Sequence, residues 1–361
     1  MFCGAALDVA GELGVPAYFF FTSGAATLDF FLHARTAVSF REMGEGELVH
    51  VPGVPPFPAT HAIHAVMERD DDPAYGGFMD AAAGLCRARG VIVNTFRSLE
   101  PRTVDAIAAG LCAPPGLPTP PVHCIGPLIK SQDHQVAEGD PEDCLAWLDR
   151  QPKASVVFLC FGGLGRFSAE PEQTREVAAG ARGQRAALPV GAPPNNDPAK
   201  KYEEKPREPD LDALLPDCFL RRTEVRGLVV KSWAPQRDVL AHGSVAGFVT
   251  HCGWNSALEA VSAGVPFLAW PLYAEQRLNR WYLDKELRLT VALEGCDTGS
   301  GFVTADEVAT KVRWLVDSDG GAVVLRERTR AAMRRAKEAR RKGGESEAAL
   351  AGLVDSWRSL I

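Results

Sequence analysis

A run of apolar residues at 245–250 ends in His251, Cys252 and Gly253 and continues into Trp254, Asn255, Ser256 and, one turn further on, Glu259. The pattern predicts a short strand, a glycine turn and a helix opening at Asn255. Free backbone amides and the positive end of the helix dipole make such a turn a place where an anion can settle. Asn and Ser are also ordinary helix caps, and a histidine beside a helix start is often a core or capping residue. By itself, then, the turn supports either reading. Glu259 could accept both hydroxyls of a ribose, or only favour the helix start by its charge. Trp233 directly follows an expected strand and precedes Ala234, Pro235 and Gln236. It could stack on a flat ring or pack in a core. Glu275 and Gln276 open a further helix, where they could bind several hydroxyls or cap and solvate it.

Alternating elements must position these groups. The first part of the chain predicts a helix at 5–13, a strand at 16–21, and a helix capped by Ser23 and running to about residue 40. A loop at 51–58 follows, held extended by its prolines. A helix at 73–89, a strand at 91–94, a helix at 101–111 and a strand at 122–125 come next. Residues 129–140 read as a linker. Beyond it, strands are expected at 155–161, 227–232, 245–250 and 266–270. Helices are expected at 141–148, 170–181, 235–241, 255–263 and 275–286, with mostly helix from 305 onward. A glycine-rich turn stands at 162–165. Strand–helix alternation implies parallel sheets covered on both faces. Two such halves imply an α/β protein of two Rossmann-like domains with a ligand between them. One stretch resists: 182–194 has no β-branched run and carries Pro189, so no strand is expected where the alternation asks for one.

Composition narrows the function classes. The chain has 361 residues, 46% of them hydrophobic, and a net charge of −7, which argues against nucleic-acid binding. The basic run at 326–342 is interleaved with Glu and Ala at helical spacing and reads as a solvated helix face. Nine cysteines without CxxC spacing fit reduced thiols better than a disulfide framework or a metal site. No apolar run reaches the roughly 20 residues of a membrane span. A cytoplasmic monomer is expected. No GxGxxG follows a strand, which speaks against a dinucleotide oxidoreductase.

The whole stretch 233–276, WAPQRDVLAHGSVAGFVTHCGWNSALEAVSAGVPFLAWPLYAEQ, resembles the signature box of plant secondary-product UDP-glycosyltransferases. Flanking segments FFFTSGA, VNTF, SLEP, GPL, SVVFLCFG and GESE are similar to the same family, nearest the branch that glucosylates phenolic acceptors. The resemblance implies a GT-B fold. An acceptor-binding domain is expected over 1–128, incomplete at its start, and a UDP-sugar domain over 141–340. A last helix in 341–361 is expected to pack back on the first domain. The resemblance also implies roles. Trp233 would stack on uracil, with the Ala234 backbone at the base edge and Gln236 near the ribose. Glu259 would hold the ribose hydroxyls, and His251, Gly253, Asn255 and Ser256 the diphosphate. Trp254, Glu275 and Gln276 would face the sugar, with Gln276 suggesting glucose, and Tyr273 would be a further donor-binding residue. Gly163 would lie at the donor, and Thr22 would approach it from the other domain. The co-substrate would be UDP-glucose, the other partner a hydroxylated phenolic acceptor, and the chemistry an inverting transfer without a metal or other cofactor.

Three departures stand out. In the family a His near the N-terminus deprotonates the acceptor and an Asp orients it. Both are expected upstream of Met1, so no residue here is assigned as catalytic. The alternative is an inactive remnant that at most binds UDP-sugar. Among His33, His50, His61, His64, His123, His134 and His242, none sits at a strand end with a following acid. Gly162-Gly163 stands where the family usually has Gly-Ser, and 182–194 replaces an apolar, Trp-containing strand. The helix at 5–13, with Ala5, Ala6, Val9 and Ala10 apolar, is expected to be buried, as if the chain started inside a domain. Apolar surface is expected to be exposed in the first sheet.

Overall fold

The computed structural model describes residues 4–34, 43, 46–67, 72–113, 116–129, 141–162, 167, 172–181, 185–190, 211–217, 219–223, 226–231, 234–298, 301–317 and 320–359. The first part runs α1 (Gly4–Glu12), β1 (Tyr18–Phe21), α2 (Ala25–His33), β2 (Leu48–Val49), β3 (Phe57–Pro58), α3 (Pro73–Arg87), β4 (Gly90–Val93), α4 (Pro101–Ala108) and β5 (Val122–Cys124). The middle runs α5 (Pro141–Asp149), β6 (Val156–Cys160), α6 (Glu172–Ala181), β7 (Arg185–Val190), α7 (Leu211–Leu214), α8 (Phe219–Thr223) and β8 (Gly227–Lys231). Next come α9 (Gln236–Ala241), β9 (Val245–Thr250), α10 (Trp254–Ala263), β10 (Phe267–Ala269), α11 (Gln276–Lys285) and β11 (Thr290–Ala292). The chain closes with α12 (Ala305–Val316), α13 (Gly321–Arg340) and α14 (Glu345–Arg358).

Two parallel sheets organise the molecule. One is ordered β1-β4-β5, the other β11-β10-β9-β6-β7-β8. In the larger sheet alternate residues of β6 enter two different cores: Val156 and Phe158 on one face, Val157 and Leu159 on the other. All four are fully buried, as a parallel sheet covered by helices requires. The smaller sheet carries its own core, built from Phe21, Phe30, Phe57, Phe78 and Val91. Leu278 and Tyr282 of α11 also enter that core, so a helix of the second half packs into the first. Helix α14 returns to the first half. Its Ser346 hydroxyl donates to the Gly126 carbonyl at 2.6 Å, and Trp357 packs edge-on against Tyr18.

Several sequence expectations are corrected. Helix α1 has no buried residue and Val9 is 54% exposed; among the described elements α1 packs chiefly on α3. Ser23 does not cap α2. Its hydroxyl finds no partner among the described residues. Instead the fully buried Glu100 carboxylate accepts from the Ala25 and Ala26 amides, each at 2.9 Å, and from the Thr95 hydroxyl. A carboxylate at the positive end of the helix does the work of a local cap. The far end expected for α2, beyond residue 34, lies outside the described residues. The proline loop at 51–58 closes in strand β3, paired antiparallel with β2. Stretch 182–194 does contain a strand, β7, bonded on both sides. Its pairing with β6 ends at Ala187, so Pro189 has a strand neighbour on one side only, at Val230 of β8. That is how a proline without an N–H is tolerated there.

Candidate donor site

Strand β9 is buried along its whole length and ends at Thr250. The turn His251-Cys252-Gly253 leads into α10, whose N-cap Gly253 supplies no side chain. Ala257 N–H is the first to close on the helix, bonding the Gly253 carbonyl at 3.1 Å. The amides of 254–256 therefore fan out from the helix start, where the dipole is positive. Cys252 has φ +64, a left-handed conformation that side chains resist. It is held by Asn279, whose amide donates to the Cys252 carbonyl at 3.1 Å.

His251 lies against glycine on two sides. A Cβ on Gly162 would come within 2.9 Å of its ring, and one on Gly253 within 2.5 Å. Any larger residue at either position would have to displace the imidazole. Burial lowers the His251 pKa to about 4, so the ring is neutral at pH 7. It can therefore act as a hydrogen-bonding group beside the turn and adds no charge.

Glu259 lies one turn inside α10. Gln236, at the start of α9, donates to its carboxylate at 2.6 Å and to the Ser256 hydroxyl at 3.0 Å. Burial raises the Glu259 pKa, and the Gln236 bond and the nearby Arg237 charge partly offset this. The structure thus gathers Gln236, Ser256 and Glu259 on one side of the helix start. At α11, Gln276 is buried and its side-chain carbonyl accepts from the Leu272 and Tyr273 amides at 2.8 and 3.0 Å. Only its NH2 end remains for a ligand. Tyr273 is exposed and Glu275 half-exposed at the same helix start. Ala234 is buried just ahead of α9, bonded through its carbonyl to Gln236 N. Trp233 and Gly163 lie outside the described residues.

The two halves meet at this turn. Thr22 is exposed at the end of β1. Two residues on, Gly24 sits so close to Trp254 that a Cβ would stand 2.8 Å from its ring. The Trp254 indole is buried and donates to the Asn94 carbonyl at 2.8 Å. Its side chain is therefore spent on the seam rather than turned to a ligand. Asn94 was missed by the sequence reading. Its amide donates to the Asn255 side-chain carbonyl at 3.0 Å, and its own side-chain carbonyl accepts from Leu128 N–H. Its position at the end of β4, in the VNTF segment, was the available signal.

Two parallel sheets covered by helices, meeting where Asn94 at the end of β4 bonds Asn255 at the start of α10, make a GT-B architecture. A family model described as UDP-glucoronosyl and UDP-glucosyl transferase matches residues 210–305. The chain is 45% identical over 368 residues to UDP-glycosyltransferase 88F3 of Pyrus communis, covering 99% of this chain and 75% of that protein. It is also 45% identical over 370 residues to a phloretin 2'-O-glucosyltransferase of Malus domestica, with the same coverage. Phytolacca americana UGT2, solved with UDP-2fluoro-glucose and pterostilbene, superposes with a TM-score of 0.84 at 35% identity, over 98% of this chain and 74% of that one. The chain belongs to the UDP-glycosyltransferase family. No described helix is long and apolar enough to cross a membrane.

Proposed function

We propose that this chain binds UDP-glucose at the seam and serves glucosyl transfer, with inversion, to the hydroxyl of a small phenolic acceptor. The observation that carries this is Glu259, one turn inside an N-terminus without a side-chain cap and already oriented by Gln236. The α10 amides, Asn255, Ser256 and neutral His251 hold the diphosphate, and Glu259 holds the ribose. Trp233 and the Ala234 backbone take the uracil, Gly163 and Thr22 border the donor, and Tyr273, Glu275 and the Gln276 amide face the sugar. Trp254 contributes through its backbone and by fixing the seam. Developing charge on the leaving diphosphate is met by fixed dipoles, so no metal is needed. The phenolic acceptor follows from the relatives, of which one is named for phloretin and one was solved with pterostilbene. The chain acts as a cytoplasmic monomer.

A second reading, binding without turnover, is favoured by one observation. His61 and His242, two described histidines that pair with acids, are committed to structure. Buried His61 lies against Asp297, Arg280 and Trp281, and His242 joins Asp149 and Ser244 beyond the far end of β9. Isothermal titration of UDP-glucose and UDP-galactose, with and without EDTA, tests the donor site. Chromatography of a reaction with a simple phenol tests transfer. Saturable, EDTA-insensitive binding that prefers UDP-glucose, followed by glucoside formation, supports the first reading. Binding without glucoside selects the second, and no binding refutes both.

A further inference from the structure

We infer that Asn279 is a positioning residue for the donor turn and that Thr27, in the other half of the molecule, sets its orientation. The inference rests on the reading of that turn as a diphosphate cradle. Asn279 lies one turn into α11 and is 2% exposed. Its Nδ2 donates to the Cys252 carbonyl at 3.1 Å, and its Oδ1 accepts from the Thr27 hydroxyl at 2.9 Å. Each end of the amide has the one kind of partner it can use, so the two bonds together fix which way the group faces.

The carbonyl held by Asn279 is half of the Cys252–Gly253 peptide. In a planar trans peptide the C=O and N–H point in opposite directions. Drawing the Cys252 carbonyl towards α11 therefore aims the Gly253 N–H away from α11. That N–H belongs to the turn read here as facing the diphosphate. Cys252 itself stands at φ +64, a conformation that persists only where the surroundings over-determine it, and the bond to its carbonyl is one of those restraints. The Trp270 N–H, bonded to the Thr250 carbonyl at 2.8 Å, fixes the strand side of the turn. Asn279 fixes the other side.

Thr27 is itself tightly placed. It follows Ala25 and Ala26, whose amides are clamped by Glu100, and it is 1% exposed. A chain of contacts thus runs from Glu100 through α2 and Thr27 to Asn279 and the donor turn. Glu100 and Thr27 shape the anion cradle through these contacts without themselves touching the ligand.

The test uses the full chain with Thr27→Val, Thr27→Ser and Asn279→Asp. Two readouts are taken: UDP titration, and amide hydrogen exchange of residues 251–256 in the absence of UDP. Thermal unfolding confirms that each variant is folded. Thr27→Val keeps the shape and loses the hydroxyl. It is expected to weaken UDP binding about fivefold, the effect of one net hydrogen bond, and to speed exchange at 251–256. Thr27→Ser keeps the hydroxyl and is expected to behave as wild type. Asn279→Asp cannot donate to a carbonyl and is expected to weaken UDP binding more than Thr27→Val. Wild-type affinity and exchange in Thr27→Val overturns the inference, as does equal loss in Thr27→Val and Thr27→Ser. If the unaltered chain binds no UDP, the donor-site reading fails. Exchange then decides alone: faster in Thr27→Val but not in Thr27→Ser supports the relay, and no difference ends it.

Discussion

Gly24→Ala probes the seam with the smallest possible addition. The new Cβ would stand 2.8 Å from Cζ2 of Trp254 and 2.9 Å from both Cε2 and Cη2, where ordinary contact begins at 3.4 Å. A movement of about 0.6 Å is therefore needed. Trp254 has little room to give, being 3% exposed and bonded through Nε1 to the Asn94 carbonyl. Overpacking of this kind costs about 2 kcal/mol, which lowers Tm by about 5 °C for a cooperative unit of about 200 residues. Because Trp254 is the first residue of α10, the strain also shifts the helix start, and UDP affinity is expected to fall about tenfold. Scanning fluorimetry and calorimetric titration read the two effects. Trp254→Phe removes the indole atoms that collide, so the double variant is expected to be less damaged than the sum of the singles. An unchanged Tm and UDP affinity in Gly24→Ala, or strictly additive losses, would refute this account of the seam.

Other variants report on separate links. Glu259→Ala is expected to weaken UDP binding about tenfold or more, as for the loss of hydrogen bonds to a charged group, while leaving UDP-independent stability within about 1 kcal/mol. Equal UDP affinity in the two proteins would dismiss Glu259 as a ribose ligand. Asp29 is fully buried, and burial, opposed by the Cys112 thiol beside it and reinforced by the nearby Glu100 charge, raises its pKa well above 3.8. A raised acid binds more protons folded than unfolded, so its contribution to stability falls as pH rises from about 4 through the folded-state pKa. Asp29→Asn should therefore raise Tm more at pH 8 than at pH 5, and parallel profiles for the two proteins would contradict this. Phe20 is 45% exposed on β1, which among the described residues has a strand partner on one side only, β4. Phe20→Lys is expected to slow concentration-dependent aggregation measured by light scattering, since a charge on an open edge opposes pairing. No change in aggregation rate would place the sticky surface elsewhere.

Much of the donor side was legible in the sequence because its signals are local. Six buried residues of β9, a glycine and two short polar residues spell strand, turn and helix in one short segment. The features that escaped depend on partners far along the chain. Ser23 looked like a cap because it is the right residue in the right place, yet Glu100, 75 residues away from Ala25, does the capping. Trp254 was expected to face a ligand. What turned it to the seam is a bond to Asn94 and the absence of a side chain on Gly24, neither visible from Trp254 itself. Strand β7 was unreadable because its sequence, RAALPV, has weak strand propensity. Flanking strands with free ladder positions overrode that weakness, as sheet context commonly does. Helix α1 shows the reverse error, since apolar spacing promised burial and the described fold covers no residue of it.

The measurement that bears most directly on the donor site is a crystal structure of this chain with UDP bound. The account predicts phosphate oxygens within hydrogen-bond distance of the amides at 253–256 and ribose hydroxyls on the Glu259 carboxylate, with the Gln236 bond retained or exchanged for the ribose. UDP seated away from the α10 N-terminus, or bound there with Glu259 untouched, would contradict it.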